Sequence, residues 1–424
     1  MSLKQIADNG SHGGTTRPRD LRQVTGLEGV KKCPFLAQRS AGVARYAPTA
    51  LITRRVACNT GLPAMTITLA QLRRHAIARS LFTPTTLRRA IHKLGFVQAD
   101  PIRAPARAQD LTLRHRVKDY RAGDLEHRYE QLPIEEDFFV NYGFLPRDTH
   151  ALMHPRTARE VWTPARWKQA HAVHGWVAAH GVVHPREVEA NFAHGKVKNG
   201  FGSSSSATKQ LLDGMHYRGL LRIARREGGI RLYAAREATP AHAEPQAAFD
   251  SLVDVVVAKY APLPAATLGR LLSHLCIGAP QWRGDRDAAL KRAKQRLAHA
   301  QIDSTDWYWP TAERLRRGEP HDTVRLLTPF DPVVWDRCRF ELFWGWSYRF
   351  EAYTPASKRK LGYYALPLLW RDSVIGWGNV TVEGGTLNAQ LGYVSGRAPR
   401  EAVFKRELAA ELARLQAFLR PRKE

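Results

Sequence analysis

Short helical segments, broken by Pro, Gly and Thr and closed by a basic hairpin, most strongly constrain what this chain can fold into. Between residues 156 and 240 the sequence predicts, in order, a helical pair over 156–182, a helix from Pro185, a polar loop over 200–206, a helix over 207–219 and a hairpin turning at Gly228-Gly229. Three helices followed by a two-stranded wing is the winged-helix order, in which the last helix enters a DNA groove. The same pattern also fits a small α+β scaffold for protein contacts.

Related patterns precede and follow this segment. Thr68 can cap a first helix, and Thr83-Pro84-Thr85 can open a second one that ends at Gly95. The elements predicted downstream are helices over 249–260, 264–275 and 285–300, strands over 304–309, 325–328, 344–353, 363–370, 373–382 and 387–394, and a last helix over 402–419.

We therefore predict an α+β multidomain protein, with tandem winged-helix domains followed by a small, β-rich, barrel-like domain. The predicted segments are a disordered basic tail over 1–64, a winged-helix-like domain over 65–155, a second winged-helix domain over 156–240, a third winged-helix-like domain over 241–324, and a β-rich domain with a C-terminal helix over 325–424. A start codon assigned too far upstream would account for the tail equally well, because Met65 precedes the first capped helix.

The charge of the chain indicates the kind of partner it binds. Its 424 residues include 65 Lys and Arg against 39 Asp and Glu, a net charge of +26. The remaining composition is that of an ordinary globular protein, so this excess predicts an anionic partner, and nucleic acid is favoured. No run of about 18 uncharged apolar residues occurs, so no membrane partner is expected. We expect a monomer in the cytoplasm, associated with the bacterial nucleoid.

Motifs for common cofactors do not occur in the sequence. It has no phosphate-binding loop, dinucleotide loop, nucleophile elbow or zinc-protease motif, so no nucleotide cofactor is expected. The four cysteines, at positions 33, 58, 276 and 338, are too scattered for a disulfide framework or a thiolate zinc site and indicate a reducing compartment. The pairs His171/His174 and His180/His184 lack a third ligand, so neither a metal nor another cofactor is expected.

One segment could carry chemistry. Gln98 and Asp100 are two residues apart, so an extended backbone would project both side chains from one face. Several arginines follow them, and a carboxylate in a cationic groove opposes simple phosphate binding. Breaking a glycosidic bond through an oxocarbenium-like state, in contrast, requires a negative group near the sugar and a polar group that aims a water molecule. The alternative is a structural pair, bonded to the backbone or to Arg103.

Two stretches resemble a known family. Residues 95–116, with Gln98-Ala-Asp100 and Ala106-Arg107-Ala108, are similar to the Q-x-D segment of the YcaQ/AlkX interstrand-crosslink DNA glycosylases, relatives of AlkZ. A longer match runs from Leu327-Thr-Pro-Phe-Asp-Pro-Val-Val-Trp-Asp-Arg337 through residues 348–369 and resembles the C-terminal β domain of that family. Phe144-Leu-Pro-Arg147 also fits, and the order agrees across residues 65–420.

The resemblance implies tandem winged helices and a β domain arranged in a C-shape around duplex DNA. It implies an enzyme that hydrolyses the N-glycosidic bond of N7-alkylated guanine, including at the two ends of interstrand crosslinks. No lysine adjoins the Q-x-D segment in sequence as an obvious Schiff-base nucleophile, so we expect a monofunctional enzyme. By motif position, Gln98 would hold the attacking water, and Asp100 would orient it or stabilise the positive charge that develops on the deoxyribose. Predicted phosphate contacts are Arg103, Arg107, Arg114, Arg147, Lys209, Arg222, Lys358, Arg359 and Lys360.

Two departures from the family pattern concern crosslinks. Crosslink-active relatives carry a His-Glu pair where this chain has Val140-Asn141. They also continue Val-Gly-Arg-x-Asp-x-Lys where this chain has Ile375-Gly-Trp-Gly-Asn-Val-Thr381, which removes one acidic and two basic groups. These differences affect crosslink unhooking more than DNA binding.

The rival hypothesis is a non-catalytic winged-helix DNA-binding protein, a regulator or an architectural protein. Excision assays with variants of Gln98 and Asp100 distinguish the two. RNA binding is disfavoured, since no RNA-recognition signature occurs.

Overall fold

The computed structural model describes residues 67–158, 160–192, 195–198, 204–237, 242, 244–315 and 318–420. The predicted tail over 1–64 lies outside these residues. The described residues fall into two compact units, a small one between Pro185 and Gly214 and a large one with residues 67–184 and 215–420. No helix of the described chain is long and apolar enough to cross a membrane.

The helices are short, as the frequent breakers predict. They are α1 Leu69–Ser80, α2 Leu87–Leu94, α3 Ala108–Leu113, α4 Asp124–Arg128, α5 Arg147–Ala151, α6 Pro164–His180, α7 Pro185–Phe192, α8 Ala207–Tyr217, α9 Pro245–Tyr260, α10 Ala265–Gly278, α11 Arg286–Arg296, α12 Arg337–Trp344 and α13 Ala402–Leu419. Local signals fix the first two. Thr68 and Gln71 form a reciprocal capping box at α1, and Gly95 ends α2 in the left-handed conformation, as predicted.

The strands form small antiparallel sheets. They are β1 Val97–Gln98, β2 Ile134–Phe138, β3 Tyr142–Pro146, β4 Lys196–Lys198, β5 Ser204–Ser206, β6 Leu221–Glu227, β7 Ile230–Ala235, β8 Leu263–Pro264, β9 Ala298–Ile302, β10 Thr305–Trp309, β11 Val324–Leu326, β12 Leu366–Trp370, β13 Ser373–Glu383 and β14 Thr386–Tyr393. Three sheets have the strand orders β1-β3-β2, β8-β10-β9 and β11-β12-β13-β14, and the pairs β4-β5 and β6-β7 stand as hairpins. The mixed composition of helices and sheets agrees with the predicted α+β class.

Some element predictions are wrong in detail. The helix predicted over 285–300 ends at Arg296, and Ala298–Ile302 forms β9. Residues 156–182 hold a single helix, α6, because the chain before its cap at Thr163 is irregular. The predicted strand over 344–353 is the end of α12 and an irregular segment, where aromatic side chains pack without a strand partner. Ser204–Ser206 pairs with β4 as a strand, whereas residues 200–203 of the predicted polar loop lie outside the described residues.

The main core joins distant parts of the large unit. Its buried side chains include Leu72 of α1, Phe139 after β2, Leu252 of α9 and Trp307 of β10. A second cluster lies in the C-terminal part, around Phe340 and Leu369. Residues predicted to belong to separate domains therefore share one apolar core.

Candidate active site

Strand β1 fixes the position of Gln98. It pairs with β3 in the register Val97↔Phe144 and Gln98↔Gly143. A Cβ atom at Gly143 would lie 2.2 Å from the Val97 carbonyl oxygen, so only glycine allows the two strands to approach this closely. The Ala99 amide also donates to the Tyr142 carbonyl at 2.9 Å. The backbone is thus bonded to β3 both before and after Gln98 in the sequence.

Gln98 is 4% exposed, and its side chain contacts a residue more than 200 positions away. Its Oε1 accepts a hydrogen bond of 3.0 Å from Trp335 Nε1. Trp335 follows Asp331, whose carboxylate receives two hydrogen bonds, of 2.8 and 2.9 Å, from the fully buried Arg116 guanidinium. The two sequence stretches that resemble the family therefore meet at this point in the fold.

Asp100 lies in the irregular chain after β1 and is only partly exposed. Its Oδ1 accepts a 2.9 Å hydrogen bond from the Ile102 amide, and no Lys or Arg of the described residues lies within ion-pair distance of the carboxylate. Burial raises the pKa of Asp100 to about 6, against the opposing effect of the Ile102 hydrogen bond. The sequence suggested the backbone or Arg103 as a structural partner. A backbone amide bonds the Asp100 carboxylate, and Arg103 forms no ion pair with it. An unpaired carboxylate with a raised pKa is typical of functional sites.

Two tyrosines, Tyr353 and Tyr364, interact electrostatically with Asp100. Burial, followed by the negative charge of Asp100, raises the pKa of both Tyr353 and Tyr364. Tyr364 is buried and lies 3.4 Å from the Thr328 hydroxyl, whereas Tyr353 is 63% exposed. The Phe350 ring packs between them, at 6.0 Å from Tyr353 and 5.2 Å from Tyr364. The Asp100 charge is therefore felt by one buried and one exposed tyrosine of the C-terminal part of the chain.

The segment 354–362, here termed the basic loop, adjoins these tyrosines in sequence. The Glu351 carboxylate holds it by accepting hydrogen bonds from the amides of Lys360 (2.8 Å), Leu361 (2.7 Å) and Gly362 (3.3 Å). Asn379 Nδ2 donates to the Leu361 carbonyl at 2.8 Å, so this departure from the family pattern retains a structural contact. Lys358 and Lys360 are exposed on the loop.

The predicted phosphate contacts occupy different environments. Arg103, Lys209, Lys358 and Lys360 are exposed, and the Arg359 guanidinium lies over the Tyr363 ring at 5.0 Å. Arg107 pairs with Glu126, and Arg147 and Arg222 both contact Glu135, at 3.1 and 3.0 Å. The Arg114 side chain is 4% exposed and pairs with the buried Glu411, so its guanidinium faces the protein interior.

Strand β2 carries three consecutive buried acids that sequence reasoning missed. Glu136 pairs with Arg226, and Glu135 lies 3.3 Å from Arg236 in addition to Arg147 and Arg222. Although burial alone would raise it, the pKa of Glu136 is lowered by Arg226. The run Glu135-Glu136-Asp137 in a strand was the available signal, since buried carboxylates require partners. These pairs attach the basic hairpin β6–β7 to the sheet.

Asp137, His150 and His154 form a candidate metal cluster within the described chain. His150 Nε2 lies 2.8 Å from Asp137, and Arg156 contacts the same carboxylate at 2.9 Å. Arg236 approaches the other His150 nitrogen at 2.9 Å. Two guanidinium groups beside the carboxylate and the imidazole would repel a cation, so the contacts favour an ion-pair network.

Lys259 contacts the backbone just before the Q-x-D segment. It is 3% exposed, and its Nζ donates to the carbonyl of Phe96, two residues before Gln98. Burial, with a smaller effect of Arg116, lowers the pKa of its amine to about 7. Sequence spacing gave no sign of this contact, because the two residues are 163 positions apart.

Val140 and Asn141 occupy the turn between β2 and β3. Val140 is 1% exposed and belongs to the main core, and Asn141 Oδ1 accepts from the Tyr142 amide at 2.8 Å. Where crosslink-active relatives were expected to carry a His-Glu pair, this chain therefore has a core side chain and a turn residue.

The fold and the site define an α+β protein with a carboxylate and an amide beside basic and aromatic surface residues. Residues 91–418 match the family model described as DNA glycosylase AlkZ-like. The chain belongs to the AlkZ-like DNA glycosylase family, whose members are hydrolases of N-glycosyl bonds in DNA repair. Its fold is similar to that of Streptomyces sahachiroi DNA glycosylase AlkZ, with a TM-score of 0.56 and 16% identity, over 84% of this chain and 98% of that one.

Proposed function

We propose that this protein hydrolyses the N-glycosidic bond of N7-alkylated guanine in duplex DNA, with Gln98 and Asp100 as its catalytic residues. The observation that carries the proposal is the Asp100 carboxylate, which is partly buried, lacks an ion-pair partner among the described residues and has a raised pKa. The buried carboxylates of β2, in contrast, are paired with guanidinium groups.

The chemistry suits the substrate. N7 alkylation makes the base a cationic leaving group, so departure needs little help from a general acid. The enzyme must instead stabilise the positive charge that develops on the sugar and position the water that attacks C1′. Asp100 stabilises that charge or orients the water, and Gln98 holds the water.

Exposed basic residues support binding to the DNA backbone. Arg103 is exposed in the large unit and Lys209 in the small unit. The basic loop contributes Lys358, Arg359 and Lys360. Arg107, Arg147 and Arg222 add positive charge that their carboxylate partners partly neutralise, and buried Arg114 acts as a structural residue. Tandem winged helices that contact duplex DNA complete the proposed binding mode.

Simple N7 adducts are the preferred substrate in this proposal. The turn that holds Val140 in the core supplies no ionisable side chain in place of the His-Glu pair expected in crosslink-active relatives. Excision of 7-methylguanine should therefore exceed unhooking of a nitrogen-mustard crosslink, and the reverse order would contradict this preference.

The enzyme is proposed to be monofunctional, to need no cofactor and to act as a monomer in the bacterial nucleoid. Lys259 is the lysine to test for a Schiff base, but its amine is buried and bonded to the Phe96 carbonyl. Borohydride reduction during turnover should trap no covalent complex with DNA. A trapped complex that disappears in Lys259→Met would overturn monofunctional hydrolysis.

The direct test is single-turnover excision of 7-methylguanine from duplex DNA. Gln98→Ala and Asp100→Asn should each lower the rate by about 10²- to 10⁴-fold, in the range of positioned proton-transfer groups. DNA affinity should stay close to that of the wild type. Equal release by all three proteins, or release by none, would favour the non-catalytic DNA-binding alternative. Competition between duplex DNA and RNA at fixed salt tests the remaining RNA reading.

A further inference from the structure

The contact between Trp335 and Gln98 decides which end of the amide faces the site. An indole N–H can only donate a hydrogen bond, so the group that faces it must be the carbonyl oxygen of the carboxamide. The opposite orientation would place two donors against each other in a nearly buried position and leave both unsatisfied. The 3.0 Å contact therefore directs Nε2 of Gln98 away from Trp335.

Trp335 is itself held rigidly. Its ring lies 4.6 Å from that of Tyr260 and 6.4 Å from that of His274. Its backbone amide donates to the Asp331 carbonyl at 2.8 Å. The next residue, Asp336, pairs with Arg270 at 2.6 Å. A donor fixed by this many contacts can hold one amide orientation.

The other end of the amide is available. No group of the described residues bonds Gln98 Nε2, and this nitrogen is not fully buried, so it can contact solvent. The two N–H donors of Nε2 are therefore available to bind water.

We propose that Trp335 is a positioning residue that locks the Gln98 carboxamide with Nε2 toward the substrate, so that Gln98 binds the attacking water through the water's oxygen. This deepens the proposed function and rests on it. One lone pair of the water accepts from Nε2, and the other forms the bond to C1′. The C1′–N9 bond breaks with its electrons on the neutral alkylguanine, and the water's proton passes to the Asp100 carboxylate.

The test compares two tryptophan substitutions in the full-length protein. Trp335→Phe removes the N–H and keeps an aromatic ring. Trp307→Phe is the matched control, since Trp307 is buried in the same core region and its Nε1 has no hydrogen-bond partner among the described residues. Trp335→Phe should lower single-turnover excision at least tenfold with DNA affinity changed less than twofold, whereas Trp307→Phe should change excision less than threefold.

A double-variant cycle adds a readout that a packing defect would not produce. With Gln98→Ala already present, Trp335→Phe should cause less than a twofold further loss of excision. An undiminished further loss, or no loss in Trp335→Phe alone, would overturn the positioning role.

Hydrogen exchange of the Trp335 indole proton, followed by nitrogen-15 NMR, tests the orientation without any activity. The proton should be protected in the wild type and in Gln98→Glu, which keeps the acceptor, and should exchange faster in Gln98→Ala. Equal protection in Gln98→Ala would refute the contact. Protection as expected in a protein that excises no base would support the orientation and reject the glycosylase proposal.

Discussion

The carboxylates of strand β2 and the carboxylate of Asp100 lie in opposite electrostatic environments. Glu135, Glu136 and Asp137 are enclosed by guanidinium and imidazole groups, and the pKa of Asp137 is held well below its usual range by Arg156 and His150 despite burial. Asp100 has a single backbone donor for its carboxylate, and burial raises its pKa to about 6. The first arrangement stabilises ionised carboxylates within the fold, and the second leaves a carboxylate without a counter-charge among the described residues.

The difference also changes where the positive charge of the protein is used. Arg222 and Arg226 of the hairpin β6–β7 pair with the acids of β2, so part of the positive charge of this hairpin attaches it to the sheet. Lys358 and Lys360 on the basic loop are exposed, because backbone amides rather than side chains hold this loop to Glu351.

The largest expected effect is on stability when the β2 network is broken. Asp137→Asn leaves the buried Arg156 without its counter-charge and should lower the free energy of unfolding by about 3–5 kcal/mol. Urea denaturation measures the change. Asp287→Asn, the same substitution in an exposed pair with Arg286, should cost about 0–1 kcal/mol. Equal effects would show that the β2 network has no special structural role.

Asp100→Asn should have the opposite effect and stabilise the fold at pH 7. The folded pKa of about 6 lies above the ordinary value of 3.8, so the ionised form is disfavoured in the native state and costs stability as pH rises between these values. Removing the charge should recover about 1–3 kcal/mol at neutral pH and nothing at pH 3. Thermal melting curves of the wild type and Asp100→Asn at pH 7 and pH 3 measure this gain in stability. A gain that persisted at pH 3 would show that it does not come from the carboxylate charge.

Excision should fall as the pH is lowered through 6. Protonation of Asp100 removes the proton acceptor, so the single-turnover rate at pH 5 should be about tenfold below its value at pH 7. Burial lowers the pKa of His150 to about 3 and that of His154 to about 4, so neither histidine titrates in this interval. The residual activity of Asp100→Asn should lack this acidic limb, and its persistence there would assign the limb to another group.

The smallest expected effect is on the salt dependence of DNA binding. It distinguishes exposed lysines from an arginine that is paired with a carboxylate. Lys358→Ala and Lys360→Ala should each reduce the slope of log affinity against log salt concentration by about 0.9 if each contacts one phosphate. Arg222→Ala should reduce it less, because Glu135 already neutralises that guanidinium. Equal changes in slope from the three variants would remove the distinction between the two regions.

Local structure was largely predictable from the sequence. The cap at Thr68, the end of α2 at Gly95, the turn of β6–β7 and the whole of α13 follow from short-range rules of capping, glycine conformation and apolar spacing. The strand predicted over 344–353 failed because its aromatic residues suit a strand but pack instead around Phe340. Short-range propensity cannot register which neighbours the chain will meet.

The site followed the same division. The sequence alone singled out Gln98, Asp100 and the stretch that contains Trp335. It also determined that the protein is strongly basic and that Asp100 lies among arginines along the chain. Only the tertiary structure decided that Trp335 bonds Gln98, that Lys259 reaches Phe96, and that Arg114 and Arg222 are paired while Asp100 is not. The physical reason is that the pKa of a group and the availability of a charge depend on burial and on partners brought together across hundreds of residues, which spacing along the chain does not encode.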